Sequence, residues 1–372
     1  MRVPLYSAHG RVLAKPLVAD THYPSADRAT MDGYVVRADA APGSFRIVGE
    51  IPAGAVPKGS LQAGEAMRIF TGGLLPEAGG RVVMQEDTQR EGDVVTIRTF
   101  SERLFIRPKG SEAAPGDVLL PAGTVLGPAE LAILAQVGAV QPEVIAAPTI
   151  LHFATGDELV APGDVPGPGQ IRDTNSTMLA AQLAALKVGK FESQRVGDDI
   201  DELDLLGRHP GDLLLISGGA SVGDFDFGAR ALKELGFTIH FDKVQIRPGK
   251  PLTFATRENQ AAFVIPGNPV SHFVCYHIAV RLAVECMAGL KPRWHEEWLT
   301  LEGGESLAPD DREIFWPART QLSKDRVTVT PKRWSTSGDT FSLAGVNALV
   351  RVKANSPEGG RAATLLLDLP EA

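Results

Sequence analysis

The chain is poor in the groups that build soft metal sites. It has two cysteines, Cys275 and Cys286, both in a stretch that reads as helix and neither in a metal-ligating pair. A zinc-thiolate site and a disulfide framework are excluded, and a reducing cytoplasm is the default compartment. Eight histidines are scattered without a zinc motif; His272 and His277 fall off a common helix face and read as core or surface. No apolar run has the length needed to span a bilayer, and Met1-Arg-Val-Pro-Leu-Tyr-Ser-Ala-His9 holds no apolar core of signal-peptide length. Basic charge is also scarce. Lys and Arg number 37 against 45 Asp and Glu, a net charge of −8. Bulk nucleic-acid binding needs a basic face and is excluded. An anionic ligand would therefore need a local cluster of cations or a metal.

Turn formers are plentiful, with 39 glycines and 27 prolines, and apolar residues make up 44% of the chain. At 372 residues the length predicts about two to four domains. Residues 1–147 read as β-rich, with strands near 45–51, 81–84 and 94–98 and a helix over 130–137 stopped at Gly138. Residues 148–290 change to alternating strand and helix. Strands are predicted at 149–154, 191–196, 213–216, 238–246 and 261–265, and helices at 177–186, 200–208, 227–235 and 270–289. This rhythm predicts a parallel sheet covered on both faces, which binds ligands beyond the carboxyl ends of its strands. Residues 291–372 read as β-rich again.

Polar groups follow those strands. Thr155-Gly156-Asp157-Glu158 follows the first and Asp198-Asp199 the second. Ser217-Gly218-Gly219-Ala-Ser221-Val-Gly223-Asp224-Phe-Asp226 follows the third, and Pro266-Gly267-Asn268-Pro269 another. In a parallel sheet these converge on one rim. An apolar run ending in a glycine-serine turn exposes backbone amides suited to an anion. Asp198 fits a helix N-cap and a metal ligand equally well. Asp224 and Asp226 also fit the positive end of a helix, though the glycine turn favours a site role, more for Asp226. Glu158 at a strand end fits a site better than a solvated surface.

The segment Lys243-Val-Gln-Ile-Arg247-Pro-Gly-Lys250 adds three cations. On a strand, Lys243, Gln245 and Arg247 share one face. A solvated face is the plain reading, but three cations at one strand end of an acidic chain favour phosphate or oxyanion contact. In the first region, Met31-Asp32-Gly-Tyr34 and Ile69-Phe-Thr71-Gly-Gly read alone as ordinary turns.

Together the segments resemble the molybdopterin molybdenumtransferase family, of the MoeA type and related to the gephyrin E domain. The ordered set is Met31-Asp-Gly-Tyr, Ile69-Phe-Thr-Gly-Gly with Pro76, Val82-Val-Met-Gln-Glu86, Thr155-Gly-Asp-Glu-Leu, Gly169-Gln-Ile-Arg-Asp-Thr-Asn175, Asp198-Asp199, Ser217-Gly-Gly-Ala-Ser-Val-Gly, Arg247-Pro-Gly-Lys-Pro and Pro266-Gly-Asn-Pro-Val-Ser. The resemblance implies an α/β multi-domain fold: a central MoaB/Mog-like molybdopterin-binding domain at 148–290, a β-rich N-terminal and linker region at 1–147 containing an inserted subdomain, and a β-barrel-like domain at 291–372. It implies insertion of molybdate into adenylated molybdopterin with Mg²⁺ and release of AMP, by a cytoplasmic homodimer whose site lies against the partner's N-terminal region. Contact with the molybdopterin adenylyltransferase and recipient molybdoenzymes is implied; nucleic acid and membrane are not.

By motif match, Asp32, Thr71, Glu158, Asp198, Asp226, Lys243 and Arg247 are the catalytic candidates, and Glu158, Asp198 and Asp226 the metal ligands. Thr155, Gly156, Asp157, Ser217, Gly218, Gly219, Ser221, Gly223, Lys250, Pro266, Gly267, Asn268, Pro269 and Ser337 are the substrate-binding candidates. Glu112 and Arg312 are further transfers. The chain departs from the family in lacking most of the usual N-terminal helix, in Arg247 where lysine is frequent and in Glu112 where aspartate is usual. With no thiolate pair in the chain, the sulfurs that bind molybdenum must belong to the substrate. A molybdopterin adenylyltransferase and a non-catalytic pterin-binding scaffold are the alternative readings.

Overall fold

The computed structural model describes residues 1–186, 189–197, 211–218, 227–302, 307–323, 326–356 and 359–367. It divides into two compact units, one of residues 2–9 and 13–143 and the other of residues 1, 10–12 and 144–372.

The second unit is organised by a six-stranded sheet in the order Lys190–Val196, Thr149–Thr155, Leu213–Ser217, Gln260–Ile265, Thr253–Arg257, Thr238–Phe241. Strand alternation explains its two cores. Ile150, Leu213, Leu215, Phe263 and Ile265 belong to one cluster. Leu151, Phe153, Leu214, Ile216, Ala262 and Val264 belong to the other. Neighbours in sequence point to opposite faces, so a continuous aliphatic run such as Leu213–Ile216 is buried on both sides. Ala231 and Leu232 of the helix Phe227–Glu234 join the second cluster. Leu179 and Leu183 of Asn175–Ala185 join the first. So do Val274, Cys275, Tyr276, Val280 and Val284 of Pro269–Met287. The sequence reading expects no run of membrane-spanning length, yet by length and composition Pro269–Met287 could cross a membrane; 56% of its 18-residue apolar window is buried inside the protein. It is not one regular helix: a π-helical turn, Tyr276–Val280, separates two α-helical parts.

Two sequence expectations need correction. The sheet is not all parallel. Its first four strands pair in parallel, and the last two pairings are antiparallel. Thr253–Arg257, which the sequence reading does not anticipate, forms a hairpin with Gln260–Ile265, and so short a connection permits only antiparallel pairing. The strand expected over 238–246 also ends at Phe241, after a bulge between Ile239 and Phe241. The chain then folds back, with the Val244 N–H donating to the Lys250 carbonyl at 2.9 Å. Ile246–Arg247 pairs with Glu313–Ile314 of a different sheet. Lys243, Gln245 and Arg247 are exposed while Ile246 is buried, so the alternation holds without a continuous strand.

That second sheet runs Glu313–Ser323, Arg326–Pro331, Glu296–Leu301, Arg361–Leu366, Ala348–Val352, and the last strand pairs back with the first. The ring closes on a core that includes Ile314, Ala318, Val329, Val350 and Ala362, and closure leaves those strands no free edge.

In the unit of residues 13–143, a six-stranded sheet runs Gly79–Met84, Gly33–Arg37, Glu65–Ile69, Gly43–Ile51, Val94–Ile97, Thr88–Glu91. It too buries both faces, with Val35, Met67 and Val82 in one cluster and Tyr34, Val36, Ala66 and Val83 in the other. The helix Pro128–Gln136 starts where Glu130 Oε2 accepts the Gly127 N–H at 3.0 Å, a stabilising use of an acid at a helix N-terminus.

Candidate functional site

A cavity of about 1400 Å³ lies in the 144–372 unit. The carboxyl ends of three parallel strands open on it. Thr149–Thr155 delivers Thr155, Gly156 and Glu158; Leu213–Ser217 delivers Ser217 and Gly218; Gln260–Ile265 delivers the turn Pro266, Gly267, Asn268, Pro269. Arg247 and Lys250 enter from the fold-back turn, and Arg312 and Ser337 from the C-terminal barrel region. Thirteen of the site candidates, from four distant segments and the barrel, thus share one wall system, as an open α/β sheet favours.

The remaining candidates fall into three groups. Asp157 and Lys243 are not among the lining residues. Asp32 and Thr71 belong to the other unit. Asp198, Gly219, Ser221, Gly223 and Asp226 fall outside the described residues, as do Asp199, Asp224 and the helix expected over 200–208.

The strand-end turns are tight. Gly218 has φ +98°, and a Cβ there would sit 2.5 Å from the Thr155 carbonyl oxygen. Only glycine lets the two strand ends approach so closely. At Gly156, φ is +137° and a Cβ would meet Glu158 Oε2 at 2.4 Å, so the Glu158 carboxylate folds over bare backbone at the cavity edge.

Beneath the turn lies a buried polar chain. His152 Nδ1 meets Ser193 Oγ at 2.9 Å, His152 Nε2 meets Ser217 Oγ at 2.8 Å, and Ser217 Oγ meets His272 Nε2 at 2.8 Å. The Ser217 hydroxyl, 3% exposed with its residue, is held between two imidazoles. Burial lowers both histidines to about 3; at His272 the neighbouring His152 adds to this and Asp173 opposes it. Both rings are neutral near pH 7, and the hydroxyl donates to one and accepts from the other.

Two of the lining cations, Arg247 and Arg312, are governed by one acid. Asp310 accepts from Arg247 Nη1 at 2.7 Å and from the Arg312 backbone N–H at 3.0 Å, with Arg312 Nε at 3.4 Å. Hydrogen bonding with Asp311, then with Arg247 and the Arg312 N–H, holds the Asp310 carboxyl well below the usual carboxylate range. Lys250 is different. Its carbonyl accepts from the Val244 and Leu252 N–H groups, and its ammonium has no ion-pair partner among the described residues. The remaining lining is braced by hydrogen bonds. Asn268 Nδ2 donates to Ser337 Oγ at 2.9 Å and Asn175 Nδ2 to the Gly267 carbonyl at 2.6 Å. Asp173 caps the helix Asn175–Ala185 by accepting the Ser176 N–H at 3.0 Å.

In the N-terminal unit Asp32 and Thr71 meet. Asp32 Oδ1 accepts the Thr71 N–H at 2.7 Å and its hydroxyl at 2.8 Å. These bonds lower the Asp32 pKa, with help from Arg68. Glu112 pairs with Arg107 at 2.8 Å.

Sequence reasoning missed several lining residues as site candidates: Arg172, Asp173, Asn175, Asp310, Trp316 and Trp334. The first three stood inside a quoted motif and carried a usable signal. The last three reach the cavity through barrel packing, which no local spacing announces.

The comparisons with known proteins agree with this architecture. Residues 1–138 match the family described as "MoeA N-terminal region (domain I and II)", and residues 152–285 match "Probable molybdopterin binding domain". The chain is 38% identical to a molybdopterin molybdenumtransferase of Nostoc sp. over 366 residues, covering 93% of this chain and 83% of that protein. It is 32% identical to one of Staphylococcus aureus over 371 residues, covering 95% and 87%. It is similar to the crystal structure of a molybdopterin biosynthesis moeA protein from Pyrococcus horikoshii, with TM-score 0.84, 28% identity and coverage of 99% and 94%. Matched in sequence along nearly its whole length and in fold, the chain belongs to the molybdopterin molybdenumtransferase family.

Proposed function

We propose that this enzyme inserts molybdate into adenylated molybdopterin and releases AMP, with Mg²⁺, as a cytoplasmic homodimer. The observation that supports the reading best is the shared cavity. At about 1400 Å³ it exceeds the roughly 300–1,000 Å³ of ordinary small-molecule sites, as a ligand with two heterocycles joined through phosphate requires. Lys250, Arg247 and Arg312 hold molybdate and the phosphate linkage, stabilising negative charge as the linkage breaks. Sulfur for molybdenum comes from the substrate dithiolene. Cys275 is buried, its thiol pushed up by burial, and Cys286 lies outside the lining, so neither is a soft ligand.

Glu158 and Asp173 bring carboxylates to the cavity, and no cluster of three metal-ligating side chains occurs among the described residues. Oxygen donors of this kind fit Mg²⁺. Glu158, with Asp198 and Asp226, would hold it, and there it would supply positive charge to neutralise the phosphate. Asp32, Thr71 and Lys243 are assigned as further catalytic residues. Thr155, Gly156, Asp157, Ser217 to Gly219, Ser221, Gly223, the Pro266–Pro269 turn and Ser337 are assigned to substrate binding. Regions 1–147, 148–290 and 291–372 are read as the functional divisions. The adenylyltransferase that makes the substrate and the molybdoenzymes that take the product are the expected partners.

The test is a turnover assay with adenylated molybdopterin, Mg²⁺ and molybdate. The reading predicts AMP release coupled to formation of the molybdenum-loaded pterin. In a parallel reaction given molybdopterin and ATP, accumulation of adenylated pterin, with no AMP released from it when molybdate is added, would make the enzyme an adenylyltransferase instead.

A further inference from the structure

Most of the cavity's polar lining answers to an anion. Its aromatic part does not. Trp316 lies on the strand Glu313–Ser323 and Trp334 follows the strand Arg326–Pro331. Their ring centroids are 4.4 Å apart with planes 48° to each other. Both line the cavity and both pack against the barrel core. Neither is fully buried. Phe341, 93% exposed on the turn Thr340–Leu343, and Pro309 lie on the same lining. Two indoles held beside a closed barrel keep part of their surface open to the cavity, where a flat ring of a ligand can stack on them.

We propose that the Trp316–Trp334 pair is the stacking platform for a planar nitrogen heterocycle of the bound substrate. Lys250 and its neighbours hold the anionic linkage in the same chamber. The inference rests on the function proposed above and adds to it the group that positions one end of the ligand. Adenine and the pterin ring share the chemistry such a platform reads, a flat π face with a polar edge. Stacking of this kind tolerates either ring.

The experiment uses the full-length protein and measures dissociation constants for AMP, for free neopterin and for inorganic molybdate separately. Trp334 is the residue to vary, because Trp316 Nε1 is buried and its loss would disturb the barrel. Trp334→Leu is expected to weaken one of the two heterocyclic ligands by about ten- to a hundredfold. Trp334→Phe restores binding, and molybdate affinity is unchanged in both. Loss for AMP identifies adenine as the stacked ring; loss for neopterin identifies the pterin. Equal binding of both ligands to wild type and Trp334→Leu would overturn the platform, and so would failure of both to bind wild type. The reaction assay is independent of these outcomes. Normal AMP release with unaltered Trp334→Leu binding removes only the platform, whereas absent AMP release with a Trp334 effect removes only the proposed reaction.

Discussion

Lys250→Ala is expected to slow AMP release by about a hundredfold or more, the usual cost of removing a charge-stabilising group from a preorganised site. The reason lies in how the cavity's cations are partnered. Arg247 and Arg312 are both engaged by Asp310, so part of their charge is already answered. Arg172 also lines the cavity, its Nε donating to the Asp164 carbonyl at 3.0 Å. Lys250 has no ion pair on its ammonium among the described residues, in a chain of net charge −8. Its backbone is fixed through the carbonyl that accepts the Val244 and Leu252 N–H groups. Alanine keeps those bonds, so the fold should survive while the charge is lost. Lys250→Arg should recover part of the rate, limited by the different shape of the guanidinium. The check is the rate of AMP release as molybdate is varied, with thermal unfolding as a control. Wild-type turnover in Lys250→Ala would take this residue out of the mechanism.

Stability should fall steeply as pH drops from 7 to 5. His152 and His272 are 1% and 0% exposed and lowered to about 3. In the unfolded chain a histidine titrates near 6.5. Between these values the unfolded state binds protons that the folded state excludes, so unfolding gains on acidification. The stabilisation is complete above the unfolded value and is lost progressively on the way down to the folded one. At pH 5 the loss is about 2 kcal/mol for each ring, a large share of the roughly 5–15 kcal/mol that holds a domain together. Urea unfolding across this range measures it. The double variant His152→Gln/His272→Gln should make the profile shallower, leaving the share of His277, which burial also lowers to about 3, even though its stability at pH 7 is lower. A profile that is already flat in the wild-type protein would mean the rings are not held neutral as described.

The central sheet was legible because its signal is local. Leu213–Ile216 is aliphatic at every position, and a run buried on both faces can hardly lie anywhere but mid-sheet. The polar groups that end these strands were legible for the same reason, since each is adjacent in sequence to the strand that aims it. What was hidden depends on partners far away in the chain. Ile246–Arg247 leaves the central sheet because the barrel strand Glu313–Ser323 offers it a ladder, and nothing within 238–247 records that offer. The hairpin Thr253–Arg257 with Gln260–Ile265 was overlooked although Glu258 and Asn259 separate two strand-like stretches, a turn signal that deserved more weight. Asp310 reads in sequence as one acid beside another; its grip on Arg247 spans 63 positions. The Ser217 hydroxyl reads as a ligand group until His152 and His272 are seen on either side of it. Asp32 and Thr71 each read as an ordinary turn, and only the fold joins them across 39 positions.

The central claim is that segments remote in sequence build one chamber for the oxyanion and the adenylated pterin. The most direct test is a crystal of the full-length protein soaked in molybdate and measured at the molybdenum absorption edge. The account predicts an anomalous peak inside the chamber, within contact of Lys250 and the Arg247–Asp310–Arg312 cluster. Molybdenum bound on another surface, with that chamber holding none, would contradict it.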